Sequence, residues 1–241
     1  MPRTNNFAEV FHRLTSWKKY TPLSGGATDT TAEAITRDLI DFDLTDATGF
    51  TNGDYILISG SGGMELSKIA TVAAPNLLLD RPVLIPQDTG ATVDEALESN
   101  LGHVSEEGIT FGATQTVTPV RAATSATPLG YLTEAAELTF SGILLGDNNL
   151  NFLYAFGALE DEEGVGSAAD PYAAVVDGTT VSTEVAHALR ATGSLHGGAV
   201  IEVDFLGITI EVNVSRNMGG TGVTGYGISG KCTAFLRRQW T

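Results

Sequence analysis

The sequence predicts a mainly β protein of the sandwich or barrel kind, carrying a helix at its N-terminus and a short helix flanking a sheet. Two observations predict it. Apolar and polar residues alternate with a period of two in Ala136-Glu137-Leu138-Thr139-Phe140-Ser141 and again from Ile201 to Val214, the pattern of strands with one wetted face. Elsewhere short apolar runs are bounded by turn residues such as Asn52-Gly53 and Gly60-Ser61-Gly62-Gly63.

Residues 1–27 read as a helix and a loose arm. Asn6 can cap the helix, Glu9 stands three residues on, and Phe7, Val10, Phe11, Leu14 and Trp17 follow the i, i+3, i+4, i+7 pattern. Pro22 and Ser24-Gly25-Gly26 end it. Such an apolar face either packs on a neighbouring subunit or covers the core of its own domain.

Residues 28–98 read as an inserted small β-barrel, with strand-like runs Tyr55-Ile56-Leu57-Ile58, Ile69 to Val72, Leu77 to Leu79 and Val83-Leu84-Ile85. The glycines at 60, 62 and 63 lack the Lys-Ser or Lys-Thr ending of a phosphate loop, so they read as a turn.

Residues 99–241 read as a β-sandwich core. Its strands are Ile109 to Phe111, Val117 to Val120 and Glu137 to Ser141, with Leu138 and Phe140 pointing inward. A short helix capped by Asp147 or Asn148, apolar at Leu150, Leu153 and Tyr154, stops at Gly157. Glu160-Asp161-Glu162-Glu163 is a solvated loop. Val185 to Thr192 fits helix or strand, and the turn His196-Gly197-Gly198 favours a hairpin. The alternation slips phase at Phe205-Leu206 beside Gly207, which predicts a bulge or bend that carries the chain from one sheet to the other. A Gly-rich stretch from Gly219 to Gly230 and a strand from Phe235 to Trp240 follow.

With 29 acidic residues against 13 basic ones, the net charge is −16, and only four residues are lysine. A protein that grips DNA needs clustered Lys and Arg to displace counterions from phosphates, and no basic stripe is present. The excess of Arg over Lys fits a high-salt host, but an ordinary acidic soluble protein accounts for it better. Cys232 is the single cysteine, which excludes an intrachain disulfide. No apolar run reaches the roughly 20 residues of a membrane helix, and Met1 to Asn5 carry no signal-peptide core, so the chain is expected in a cytoplasm.

Signatures of chemistry are missing from the sequence. There is no GxSxG elbow, and His12, His103, His187 and His196 form no HExxH pair. Asp41, Asp43 and Asp46 resemble the start of a calcium loop without its glycine or closing glutamate. Glu202 and Asp204 share a strand face, which fits a solvated surface as well as a carboxylate pair. The expectation is therefore a non-enzyme with no cofactor and no metal.

Glu107-Gly108-Ile109-Thr110-Phe111, then Val117-Thr118-Pro119-Val120, Thr127-Pro128-Leu129-Gly130, the strand Glu137 to Phe140 and the segment Leu150 to Gly157 resemble the core of siphovirus-type tail tube proteins. The likeness runs from about residue 100 to 241. It implies a virion structural subunit that closes into hexameric rings, stacked as the tube through which viral DNA is ejected, with other tail proteins at the tube ends and inside it. DNA then passes an acidic lumen without specific binding, and the subunit inserts into no membrane. The location implied is the virion tail, with the host cytoplasm during assembly. Lumen candidates are Glu137, Thr139, Glu202, Asp204 and Glu211; subunit-interface candidates are Phe7, Phe11, Leu14, Trp17, Phe235 and Trp240. Alternative expectations are a capsid decoration or tail adaptor protein, or a glycan-binding β-domain.

Overall fold

The computed structural model of the chain describes residues 3–11, 14–120, 130–145, 187–194, 200–211 and 225–240. Every regular element among them is a strand: β1 Arg3–Phe11, β2 Leu14–Pro22, β3 Thr28–Thr30, β4 Asp41–Asp43, β5 Tyr55–Gly60, β6 Gly63–Ala73, β7 Asn76–Leu79, β8 Thr92–Val120, β9 Gly130–Thr133, β10 Glu137–Leu145, β11 Ala188–Ser194, β12 Val200–Leu206, β13 Thr209–Glu211, β14 Gly225–Cys232 and β15 Ala234–Trp240. The protein is mainly β and antiparallel, as the two-residue alternation requires. The expected flanking helix from Leu150 to Phe156, the acidic loop at 160–163 and the turn at 196–198 lie outside the described residues.

The N-terminal helix is a correction. Arg3–Phe11 is a strand in unbroken register with Ile109–Val117 of β8, and β2 pairs with the earlier part of β8, Trp17 opposite Gly102 and Pro22 opposite Ala96. The apolar spacing satisfied a helix, but Thr15, Trp17, Tyr20 and Thr21 are strand-formers. A strand partner as long as β8 outweighs a weak local preference.

The chain divides into two compact units. The first contains β2 from Thr15, β3 to β7, β8 up to His103, β11, β12 and β15. Within it, hydrogen bonds run round a closed circuit. β8 pairs with β5 and β3, β5 with β6, β6 with β7, and β7 with β4. The circuit closes from β4 back to β3 through the Thr31–Leu44 bridge, with Ala32 N donating to Asp43 O at 2.9 Å and Thr45 N to Thr30 O at 3.0 Å. A closed sheet has no exposed edges of its own. Its interior is filled by Ile35, Phe42, Phe50, Ile56, Ile58 and Leu77, among others, each such buried side chain contributing about 1.5–3 kcal/mol.

The run Ile56-Leu57-Ile58 is apolar at every position because β5 is covered on both faces. Ile56 and Ile58 enter the barrel core, while Leu57 joins Tyr20, Leu66 and Leu206 in a second core outside it. From β8 the sheet continues through β2, β11 and β12 to β15. The ambiguous segment is thus a strand: β11 pairs antiparallel with β12, Ala188 opposite Leu206.

The second unit holds β1, β8 from Val104 onward, β9, β10 and β14. Val117 lies opposite both Arg3 and Thr133, so β1 and β9 flank opposite edges of β8. β10 follows β9 on β8 and pairs with β14, and β13 pairs with the far side of β14. Phe140, Tyr226, Ile228 and Cys232 are buried, whereas Glu137, Ser141 and Lys231 are exposed, so both strands show a dry and a wet face. Burial pushes the Cys232 thiol up to about 12, which makes it an inert small apolar group.

The phase slip is real. β12 ends at Leu206, Gly207 takes a φ of +59°, and the chain leaves the first unit within the next three residues. Gly102, with a φ of +88°, stands beside the other crossing on β8, where the β2 register also shifts between Trp17 and Lys18. A positive φ is open to glycine at little cost, and both residues stand near the points where the chain passes between units.

Candidate functional site

The most built polar feature of the first unit is a buried cluster of three arginines and three carboxylates. It grows from strand register. In the β11–β12 pair, Arg190 lies opposite Asp204, and in the β12–β15 pair Arg238 lies opposite Glu202. β12 is flanked on both sides, and all six residues from Ile201 to Leu206 are buried, so its two acids must find partners within the protein.

Asp204, at 0% exposure, accepts from Arg190 Nε at 2.6 Å and Nη2 at 3.0 Å, and from Arg238 Nη1 at 2.5 Å. Glu202 accepts from Arg81 Nη1 at 2.5 Å and lies 3.5 Å from Arg190 Nε. Glu65 of β6 accepts the backbone N–H of Leu84 at 2.9 Å and of Ile85 at 2.7 Å, with Arg238 Nη2 at 3.4 Å. Burial raises the Glu65 carboxyl above its ordinary range, an effect the Ile85 and Leu84 N–H groups and Arg238 only partly offset. Burial alone would lower the Arg190 guanidinium; the bond to Asp204 and the charges of Asp204 and Glu202 outweigh it and hold it above its usual value.

The Arg190 guanidinium also lies over the rings of Tyr20 and Tyr55, at 5.5 and 5.8 Å from their centroids. Tyr20 donates to Glu98 at 2.7 Å, and Lys18 donates to the same carboxylate at 2.6 Å. Burial, then the Glu98 bond, raise the Tyr20 phenol far above its ordinary value. A narrow cleft beside the cluster is lined by Ser67, Lys68, Asp80, Arg81, Arg190 and Arg238. Its arginines are engaged with carboxylates, and Lys68 lies 5.1 Å from the Tyr55 ring centroid. Among the described residues, no group of three or more His, Cys, Asp or Glu side chains converges as a metal site. The arrangement suits fastening: it ties β6, the segment after β7, β11, β12 and β15 together through charge-assisted bonds.

Two lumen candidates are corrected by this geometry. Glu202 and Asp204 do not face solvent; their strand is covered on the face that the alternation marked as wet. The sequence signal was present in Arg190 and Arg238, which supply the opposite charge on both flanking strands. Glu137 is exposed and ion-paired with Lys231 across the β10–β14 pair, and Thr139 is half-buried directly opposite Lys231. Glu211 closes β13, its side chain outside the described part.

The interface candidates separate similarly. Trp17 is fully buried and stacks on Phe205, centroids 6.2 Å apart at 16°. It is a core residue, because β2 is an interior strand of the sheet and not an exposed helix. Phe235 is half-buried and meets Phe205 edge-to-face at 5.4 Å. Phe7 and Phe11 lie on β1 opposite Ala113 and Ile109, Leu14 opens β2, and Trp240 ends β15 opposite Val200; their side chains lie outside the described part.

In comparisons with known proteins, no family model matches the chain, and no curated protein matches it.

Proposed function

We propose that this chain is a structural subunit that assembles with copies of itself, as the tail tube protein of a long-tailed virus whose stacked rings surround the path of the genome. The observation that carries the reading is the sheet of the second unit, in the order β1-β8-β10-β14-β13, with one buried face and one polar face carrying Glu137, Thr139 and Ser141. Among the described residues no strand pairs with the other edge of β1. A strand edge of this kind is a template for pairing with another chain, and a ring of subunits removes it. Identical head-to-tail contacts close into rings, and a second, open contact stacks them.

Charge supports the same reading. A net charge of −16 disfavours adhesion to DNA, which a conduit must release. The buried ion-pair cluster and the filled barrel brace the first unit from within. The test is negative-stain electron microscopy of the purified chain at high concentration. Hollow tubes with a regular axial repeat are expected. Discrete rings that never stack overturn the tube in favour of an adaptor, and a chain that remains monomeric at every concentration overturns assembly altogether.

A further inference from the structure

From Ile109 to Thr133 the sequence carries a single charged residue, Arg121, in a chain where one residue in six is charged. The described ends of this stretch form a hairpin: Val117 to Val120 of β8 pair with Gly130 to Thr133 of β9, Pro119 opposite Tyr131 and Thr118 opposite Leu132. Its register places Thr118, Val120 and Leu132 on one face and Pro119, Tyr131 and Thr133 on the other. Tyr131 is 63% exposed, Leu132 65% and Val120 40%. Only Ile40 and Leu97 join them as exposed large apolar side chains among the described residues. Scattered apolar residues need no explanation, but three on one four-residue-paired hairpin, distributed over both faces, make a contact surface.

We infer that the β8–β9 hairpin docks on a second copy of this chain, with Tyr131 and Leu132 as its anchors. The inference deepens the assembly reading and rests on it. The choice of partner follows from charge. Two subunits of net charge −16 repel wherever their acidic surfaces meet, and the hairpin stretch, with no acidic residue and Arg121 as its one charge, is where they approach without that cost. Tyrosine supplies large contact area with little side-chain freedom to lose, which is why it dominates binding energy at interfaces. Apolar groups on both faces suit insertion between neighbours better than lying flat on one surface, and a contact of that kind is heterologous, as ring and filament growth require.

The experiment is sedimentation velocity with parallel electron microscopy on the full chain, comparing wild type, Tyr131→Ser/Leu132→Ser, the single change Leu132→Glu, and Leu97→Ser as an exposed control outside the hairpin. Far-UV circular dichroism and Tm establish that each variant is folded; should the double variant fail that check, Leu132→Glu decides alone. The expected result is self-association of wild type and Leu97→Ser, with the dissociation constant raised at least about 30-fold in the hairpin variants. Tubes formed equally by the hairpin variants overturn the hairpin inference and leave the tube reading standing. Small closed oligomers that the hairpin changes dissolve uphold the hairpin and remove the tube. A wild type that stays monomeric, or that instead floats with phosphatidylcholine vesicles in a Tyr131-dependent way, overturns the inference.

Discussion

Arg190 and Asp204 face each other across the β11–β12 pair and are joined by two parallel N–H···O bonds of 2.6 and 3.0 Å, with the carboxylate wholly inside the protein. A planar guanidinium matches a carboxylate in this two-point way, and an ammonium does not. The pair also connects outward, through Arg238 to Glu65 and through Glu202 to Arg81, so the strand carrying Asp204 is held by neighbours on both sides.

Replacing Arg190 by Met is expected to cost about 3 kcal/mol, because it removes two of the three guanidinium bonds to a buried carboxylate and leaves Arg238 as its remaining charge partner. Replacing both partners, Arg190→Met with Asp204→Leu, costs less than the single change, since an apolar pair of similar volume leaves no uncompensated charge. Arg190→Lys recovers little of the loss. Urea unfolding of the three variants checks this. A double variant less stable than Arg190→Met contradicts the account.

Gly207→Ala is expected to be destabilising through two additive causes. The φ of +59° costs a side-chain-bearing residue about 1–2 kcal/mol, and an added Cβ would lie 3.0 Å from Thr233 Cγ2 and closer still to Thr233 Oγ1. Thr233 cannot simply move, because its N–H and hydroxyl donate to Leu206 O at 2.8 and 3.0 Å. In a Thr233→Ala background, the steric part of the penalty shrinks to the contact with Cβ at 3.2 Å and the backbone part persists. Thermal unfolding of the four proteins in this cycle separates the two parts. Equal penalties in both backgrounds leave the steric part without support.

Much of this was legible in sequence, and the failures share one cause. Alternation located β10 and β12, Gly207 marked the turn out of β12, and short runs around Tyr55, Ile69 and Leu77 marked the strands round the Phe42 and Ile58 core. Helical spacing misread residues 7–17, because local periodicity carries no knowledge of the partner β8 that waits a hundred residues downstream. The same blindness put Glu202 and Asp204 in solvent. Alternation says that a strand has two different faces, but only the neighbouring strands decide whether the polar face is wet or filled with arginine. β14 was hidden too, since Gly225-Tyr226-Gly227-Ile228-Ser229-Gly230 reads as part of a Gly-rich stretch until it is seen paired with β10, with Tyr226 and Ile228 buried.

Stability is expected to fall as the pH drops below about 6.5, with His187 as a principal cause. Burial, and then the nearby charge of Lys19, depress its pKa to about 3, whereas the unfolded chain titrates near 6.5. Between these values the unfolded state binds the extra proton, so stability rises with pH, and the stabilisation is lost on acidification. From pH 7.5 to pH 5 this amounts to about 2 kcal/mol. Glu65 works in the opposite direction: with its carboxyl raised above the usual range, its contribution is present at low pH and lost as the pH rises through the folded value. Chemical unfolding at a series of pH values, compared with His187→Gln, isolates the histidine. An unchanged pH slope in His187→Gln removes it from the explanation, whatever the variant's absolute stability.

Salt distinguishes the forces that build the subunit from those that join subunits. Raising ionic strength from about 10 mM to about 1 M shortens the screening length from about 30 Å to about 3 Å, which removes most of the repulsion between bodies of net charge −16. The apolar contact of Tyr131 and Leu132 is not weakened by that change, so assembly is expected at lower protein concentration in high salt. The Arg190–Asp204 pair, buried and shielded from solvent ions, is expected to respond little over the same range, and the cost of Arg190→Met measured by unfolding stays nearly constant. Light scattering gives the critical concentration for assembly, and unfolding gives the second quantity on the same samples. A critical concentration that instead rises with salt means that the subunits meet through exposed ion pairs, and the hairpin without acidic residues loses its reason for being the contact.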